Sequence, residues 1–156
     1  MEINGIPLHP LVVHAAVVFV PLAALAVAAY VVPRWRALLR WPALVLSIGA
    51  AASVQLAAMT GDSLKEKVGR SSLIETHEMW AGRLQAATWV LAGVMLVAFW
   101  ALPHMHSLTR GTDRTSRIPV LDRPLVLALP ALAVVVLVLV VLTGDAGARA
   151  VWSASA

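Results

Sequence analysis

His9-Pro10-Leu11-Val12-Val13-His14 opens a run that continues to Val32, HPLVVHAAVVFVPLAALAVAAYVV, with no Asp, Glu, Lys or Arg in it. About 20 such residues in an α-helix cross a hydrocarbon core of about 30 Å. The alternation of a membrane β-strand is missing, and in lipid only a helix or a closed barrel satisfies its own backbone. The run is therefore read as a membrane-crossing helix.

Working outward, three more runs of this kind follow: 41–60, 73–102 (continuously apolar only from about His77) and 124–143. With the first, at 9–32, they predict one all-α domain over residues 1–156, a four-helix transmembrane bundle. Composition agrees. Sixty per cent of the residues are apolar and 13% charged, whereas soluble domains run at about 45–50% and about 25%. Cysteine is absent, which excludes disulfides, thiolate metal sites and covalently attached c-type haem. Any metal or haem must be held by His, carboxylate or Met. The basic balance comes from loop arginines, and no basic stripe with interleaved aromatics marks a nucleic-acid partner. The first run is expected to persist as a helix and not as a cleaved signal, because no Lys or Arg precedes it and it exceeds the usual apolar core of about 7–15 residues.

The loops orient the bundle. Arg34, Arg36 and Arg40 lie between runs one and two with no acid. Arg110, Arg114, Arg117 and Arg123 lie between runs three and four with Asp113 and Asp122. Lys65, Lys67, Arg70 and Arg149 on the other side are offset by Glu2, Asp62, Glu66, Glu75, Glu78 and Asp145. The positive-inside rule puts the arginine loops in the cytoplasm and both termini outside, in a multi-pass plasma-membrane protein. Trp35, Trp41 and Trp100 then mark the inner interface, Trp80 and Trp152 the outer one. His9 followed by Pro10 reads as an N-cap, Ser72-Leu73-Ile74-Glu75 as a capping box, and Pro21 and Pro130 as kinks.

The chain also reads as a twofold repeat. Each half starts a helix with histidine, turns through an arginine loop and returns to Thr-Gly-Asp, at Thr60-Gly61-Asp62 and Thr143-Gly144-Asp145. The halves are then parallel-repeat helical hairpins related by an axis along the membrane normal.

Polar residues collect in the outer half: His9, His14, His77, Gln55, Arg83, Gln85 and Thr88. Ionisable groups near hydrocarbon are costly, so their collection at one end is a site hypothesis. His14 reads as a metal or haem ligand, or as an imidazole bonded to Gln55 or a carbonyl. His77 lies on an apolar stripe with Leu73, Ile74, Trp80, Ala81 and Leu84, flanked by Glu75 and Glu78. His9 reads as a cap or a ligand. Arg83 either snorkels outward or pairs with Asp62, Asp145 or an anion such as a propionate. Asp62 and Asp145 read as ligands or as solvated helix ends, and His104 and His106 as solvated loop residues. Alanines 15, 16, 51, 52, 58, 81, 86 and 87 would either make room for a porphyrin or serve close helix packing. No Walker loop, H-E-x-x-H, nucleophile elbow or dinucleotide fingerprint is present. The apolar inner half offers no path for a transporter or channel.

The string Gly5-x-Pro7-Leu8-His9-Pro10-Leu11-x-Val13-His14, followed by four spans, resembles over the whole chain a bacterial membrane-protein family known only as a domain of unknown function. The resemblance implies a four-helix inner-membrane protein likened to b-type cytochromes and ferric-reductase-like bundles. By that likeness His14 and His77, with His9, are candidate axial ligands of a non-covalent haem b. Related sequences carry a histidine near the end of the last helix where this chain has Asp145, which speaks against a second haem or a four-histidine site. The expected function is electron transfer through one haem near the extracytoplasmic face, alone, as a homo-oligomer or within a larger respiratory complex. His9–His77 ligation with His14 in support is a variant of it. Two alternatives stand beside it: a Zn or Cu site using His9, His14, His77, Asp62, Glu78 and Asp145, and a cofactor-free accessory subunit.

Overall fold

A computed structural model describes residues 2–3, 6–68, 71–103 and 118–152, with backbone alone for 2–3, 6–8, 10 and 63–68. Four helices make the molecule: α1 (Leu8–Tyr30), α2 (Arg36–Val68), α3 (Ser72–Ala101) and α4 (Pro119–Trp152). All four are long and apolar enough to cross a membrane, the candidate segment of α1 being Leu11–Tyr30. Before α1, β1 (Glu2–Ile3) and β2 (Ile6–Pro7) pair antiparallel, a short hairpin that hydropathy does not reveal.

The helices close a ring in which α1 packs on α2 and α4, and α3 on α2 and α4, leaving α1 and α3 diagonal. Contact is denser within the hairpins α1/α2 and α3/α4 than between them. Two helices outrun their apolar runs: α2 has 33 residues and α4 has 34, about 50 Å each at 1.5 Å per residue. Hydropathy reports only the part of a helix that lipid covers. Beyond it, helix-forming polar residues carry the backbone on, and the Arg149–Asp145 ion pair at i, i+4, 2.9 Å, supports the last turns of α4. Thr60-Gly61-Asp62 and Thr143-Gly144-Asp145 therefore lie inside helices, not at their ends. His9 likewise lies within α1 and is not its cap. The cap of α3 is Ser71, one residue earlier than the Ser72 box. Its hydroxyl accepts from the Ile74 amide at 3.3 Å, with Glu75 in the first turn. Pro21 and Pro130 sit within continuous helices, as do Pro42 and Pro124.

Part of the burial pattern recurs between the two halves, in a register that is not the tripeptide's. Shifting α1 by 68 residues carries the buried positions Ala16, Val20, Ala23, Ala24, Val27 and Tyr30 onto Leu84, Thr88, Leu91, Ala92, Met95 and Ala98, all buried. Shifting α2 by 86 carries buried Ala43, Ser47 and Ala50 onto buried Leu129, Ala133 and Val136. The same shifts carry His9 onto His77 and Gly61 onto Gly147, whereas Thr60-Gly61-Asp62 falls on Ala146-Gly147-Ala148. Most of these side chains join one buried core. Its polar members bond within their own helices: Ser47 to the Ala43 carbonyl at 2.6 Å, Ser53 to Ala50 at 2.9 Å and Thr88 to Gln85 at 2.9 Å.

Two loop-side arginines fold into the end opposite the histidines. Arg36, buried, donates to the carbonyls of Val31 at 3.1 Å and Pro103 at 3.3 Å. Arg40 donates to the Phe99 carbonyl at 3.3 Å and lies 3.9 Å above the Phe99 ring. Helix C-termini leave carbonyls without partners and carry partial negative charge. The two guanidiniums at the start of α2 thus satisfy the ends of both α1 and α3. Tyr30, fully buried, ties the same helices by donating to the Ala98 carbonyl at 3.2 Å. Phe99 makes edge-to-face contacts with Trp41 and Trp100 beside them.

Candidate functional site

At the histidine end each hairpin is closed by one imidazole. His9 on α1 reaches α2, its Nδ1 3.1 Å from the Thr60 hydroxyl. That hydroxyl already donates along its own helix, to Leu56 at 2.9 Å and Ala57 at 3.0 Å. With its one proton turned to either carbonyl, the hydroxyl meets the ring as an acceptor, and Nδ1 then carries the proton. His77 on α3 reaches α4, its Nδ1 3.0 Å from the Thr143 carbonyl. A carbonyl only accepts, so this Nδ1 is protonated as well. In the neutral form of each ring Nε2 is then a bare lone pair, held in place from behind.

Glycine makes the approach possible. A Cβ built on Gly61 would stand 3.3 Å from His9 Cε1, and one on Gly147 would stand 3.1 Å from His77 Cε1 and Nδ1. Both rings thus lie with the same edge on the partner helix. His77 bonds the carbonyl four residues before its glycine. The backbone hydrogen bond of His9 to Ala57 stands in the same relation to Gly61.

His14 does not join them. It is exposed on α1, because five residues turn an α-helix by about 140° at 100° per residue. With His9 turned inward, His14 faces outward. Gln55 is engaged elsewhere too: its Oε1 accepts from Gln85 Nε2 at 2.7 Å and from Trp89 Nε1 at 3.3 Å. Arg83 is exposed and stacks on Trp80, 4.7 Å from the ring centroid, rather than pairing with Asp62 or Asp145. Asp62 and Glu78 are exposed, and Asp145 is held by Arg149. Among the described residues no three His, Asp or Glu side chains gather closely enough to hold one metal ion. The stripe around His77 does turn inward from Ile74 to buried Leu84, with Leu73 at its exposed edge. Of the alanines read as room for a macrocycle, Ala16 and Ala51 are buried in the core and Ala86 is exposed. His104 and His106 fall outside the described residues.

Sequence reasoning missed the roles of Gly61, Gly147, Thr60 and the Thr143 carbonyl. The available signal was angular: His9 and His14 cannot share a helix face.

No curated protein and no solved structure matches the chain. Residues 5–156, the four helices included, match the family described as "Predicted membrane protein (DUF2231)". The chain belongs to that family of membrane proteins, whose function is not known.

Proposed function

We propose that this is a membrane-embedded redox protein in which His9 and His77 ligate the iron of one non-covalent b-type haem at the outer end of the bundle. It works alone or as a small subunit of a larger respiratory complex. The observation that carries the reading is the pair itself: two imidazoles on diagonal helices, in equivalent positions of the repeat, each anchored through Nδ1. Metal-ligating histidines almost always donate their other ring N–H to an oxygen in this way, which fixes the tautomer and raises ligand basicity.

The donor set favours haem over a bare metal ion. A haem brings its own equatorial nitrogens and asks two axial groups of the protein, and when bound it supplies a one-electron couple. A bare Zn ion asks three or four protein ligands, and the described residues gather no such group. The interior below the pair is packed, so a macrocycle between the rings would have to seat at the histidine end of the bundle.

The test is the optical spectrum and metal content of protein purified after expression with ample haem. A Soret band with stoichiometric iron is expected. Zinc or copper without a Soret band would replace this reading with the divalent-metal site. Neither chromophore nor metal would leave a cofactor-free accessory subunit.

A further inference from the structure

We propose that the lipid-facing seam of α2 and α3 docks a second copy of this chain, giving a homodimer about a twofold axis along the membrane normal. The first observation is chemical. Within the spans, Gln55 Oε1 receives both Gln85 Nε2 and Trp89 Nε1. That arrangement uses up the Gln55 acceptor and leaves the Gln55 amide protons and the Gln85 carbonyl oxygen without a partner among the described residues. Both side chains are only partly buried, and polar groups without partners are expensive in hydrocarbon. The remaining donor and the remaining acceptor complement each other, so Gln55 of one copy fits Gln85 of the other, twice, about a twofold axis. Glutamines commonly join membrane helices by bonds of this kind.

The second observation is geometric. Gly82, Ala86, Trp89, Gly93, Leu96 and Trp100 are all exposed on α3, spaced alternately four and three residues apart. That is the spacing of a helix seam packed on another helix. A Cβ built on Gly82 or Gly93 would meet nothing within 4 Å, so no described residue packs against these positions. Toward the inner end the stripe runs into a groove of about 390 Å³ that Leu96 and Trp100 help to line.

The repeat supplies an internal control. The shift of 68 that superposes the buried faces puts His14, Val18, Pro21 and Leu25 of α1 where α3 has Gly82, Ala86, Trp89 and Gly93. Three of those four α1 residues are exposed and bulky. The fold therefore tolerates large side chains on this face, and the small ones on α3 answer to something outside the chain. Matching small residues let two helix backbones approach closely.

Because the chain has no cysteine, single cysteines report contact cleanly. Ala86→Cys in native membranes, treated with a short bifunctional thiol reagent, is expected to give a covalent dimer. Val138→Cys, on the exposed face of α4, should remain monomeric. Adding Gly93→Ile should abolish the dimer with helix content and melting unchanged, since open space surrounds that position. Gln55→Leu with Gln85→Leu should weaken dimerisation several-fold. Monomer throughout, which would mean lipid alone covers the face, overturns the proposal. So does equal cross-linking at position 138, or a dimer that survives Gly93→Ile.

Discussion

The imidazole of His77 lies against Gly147, where a Cβ would come within 3.1 Å of both Nδ1 and Cε1. Gly147→Ala must displace the ring and stretch its 3.0 Å bond to the Thr143 carbonyl. A loss of about 1–3 kcal/mol is expected, the usual range for overpacking. Gly61→Ala, with its nearest contact at 3.3 Å, should lose less. Gly144→Ala meets nothing within 4 Å and should be neutral or gain about 0.5–1 kcal/mol, as a helical glycine replaced by alanine does. Unfolding titrations in mild detergent rank the three. Gly144→Ala as the most damaging would restore the tripeptide register and contradict the one described.

Arg36 should matter far more than its neighbour Arg34. Arg36→Ala strands the carbonyls of Val31 and Pro103 at the ends of two helices. Each unsatisfied buried group costs about 1–3 kcal/mol. Arg34 is exposed and only stacks on Trp35 at 5.0 Å, so Arg34→Ala should change stability by less than about 0.5 kcal/mol. Melting of the two variants by far-UV circular dichroism checks the contrast. Equal losses would deny the capping role.

Much of the architecture is legible in the sequence, because a lipid-crossing helix leaves a long uncharged run and four such runs leave little choice of fold. The hairpin repeat is legible too, but its register is not. Thr-Gly-Asp recurs in letters at 60–62 and 143–145, while the glycines that lie against the two histidine rings are Gly61 and Gly147. A tripeptide carries no information about which face it occupies. The polar end is legible as a collection of residues and misleading as a single cluster. His14 turns away by helical geometry, Gln55 is captured by Gln85 and Trp89, and Arg83 by Trp80. Arg36 and Arg40 count equally with other loop charges under the positive-inside rule, yet they bond the ends of α1 and α3. Nothing in one-dimensional pattern tells a solvated cation from one folded back onto carbonyls.

Orientation is tested by thiol labelling of a cysteine-free chain. Ser72 at the histidine end and Pro33 at the arginine end are both exposed. Ser72→Cys should react with an impermeant reagent applied to intact cells. Pro33→Cys should react only after the membrane is opened. The reverse pattern would invert the bundle and put the histidine pair on the cytoplasmic side.

The central claim, that His9 and His77 are the two axial ligands, is tested most directly by comparing spectra of His9→Ala, His77→Ala and His14→Ala proteins purified in parallel with the unaltered chain. The first two should lose the Soret band, or lose its low-spin character at equal protein and helix content, while His14→Ala keeps the unaltered spectrum. Loss of the band in His14→Ala, or an unchanged band in both His9→Ala and His77→Ala, would contradict the assignment.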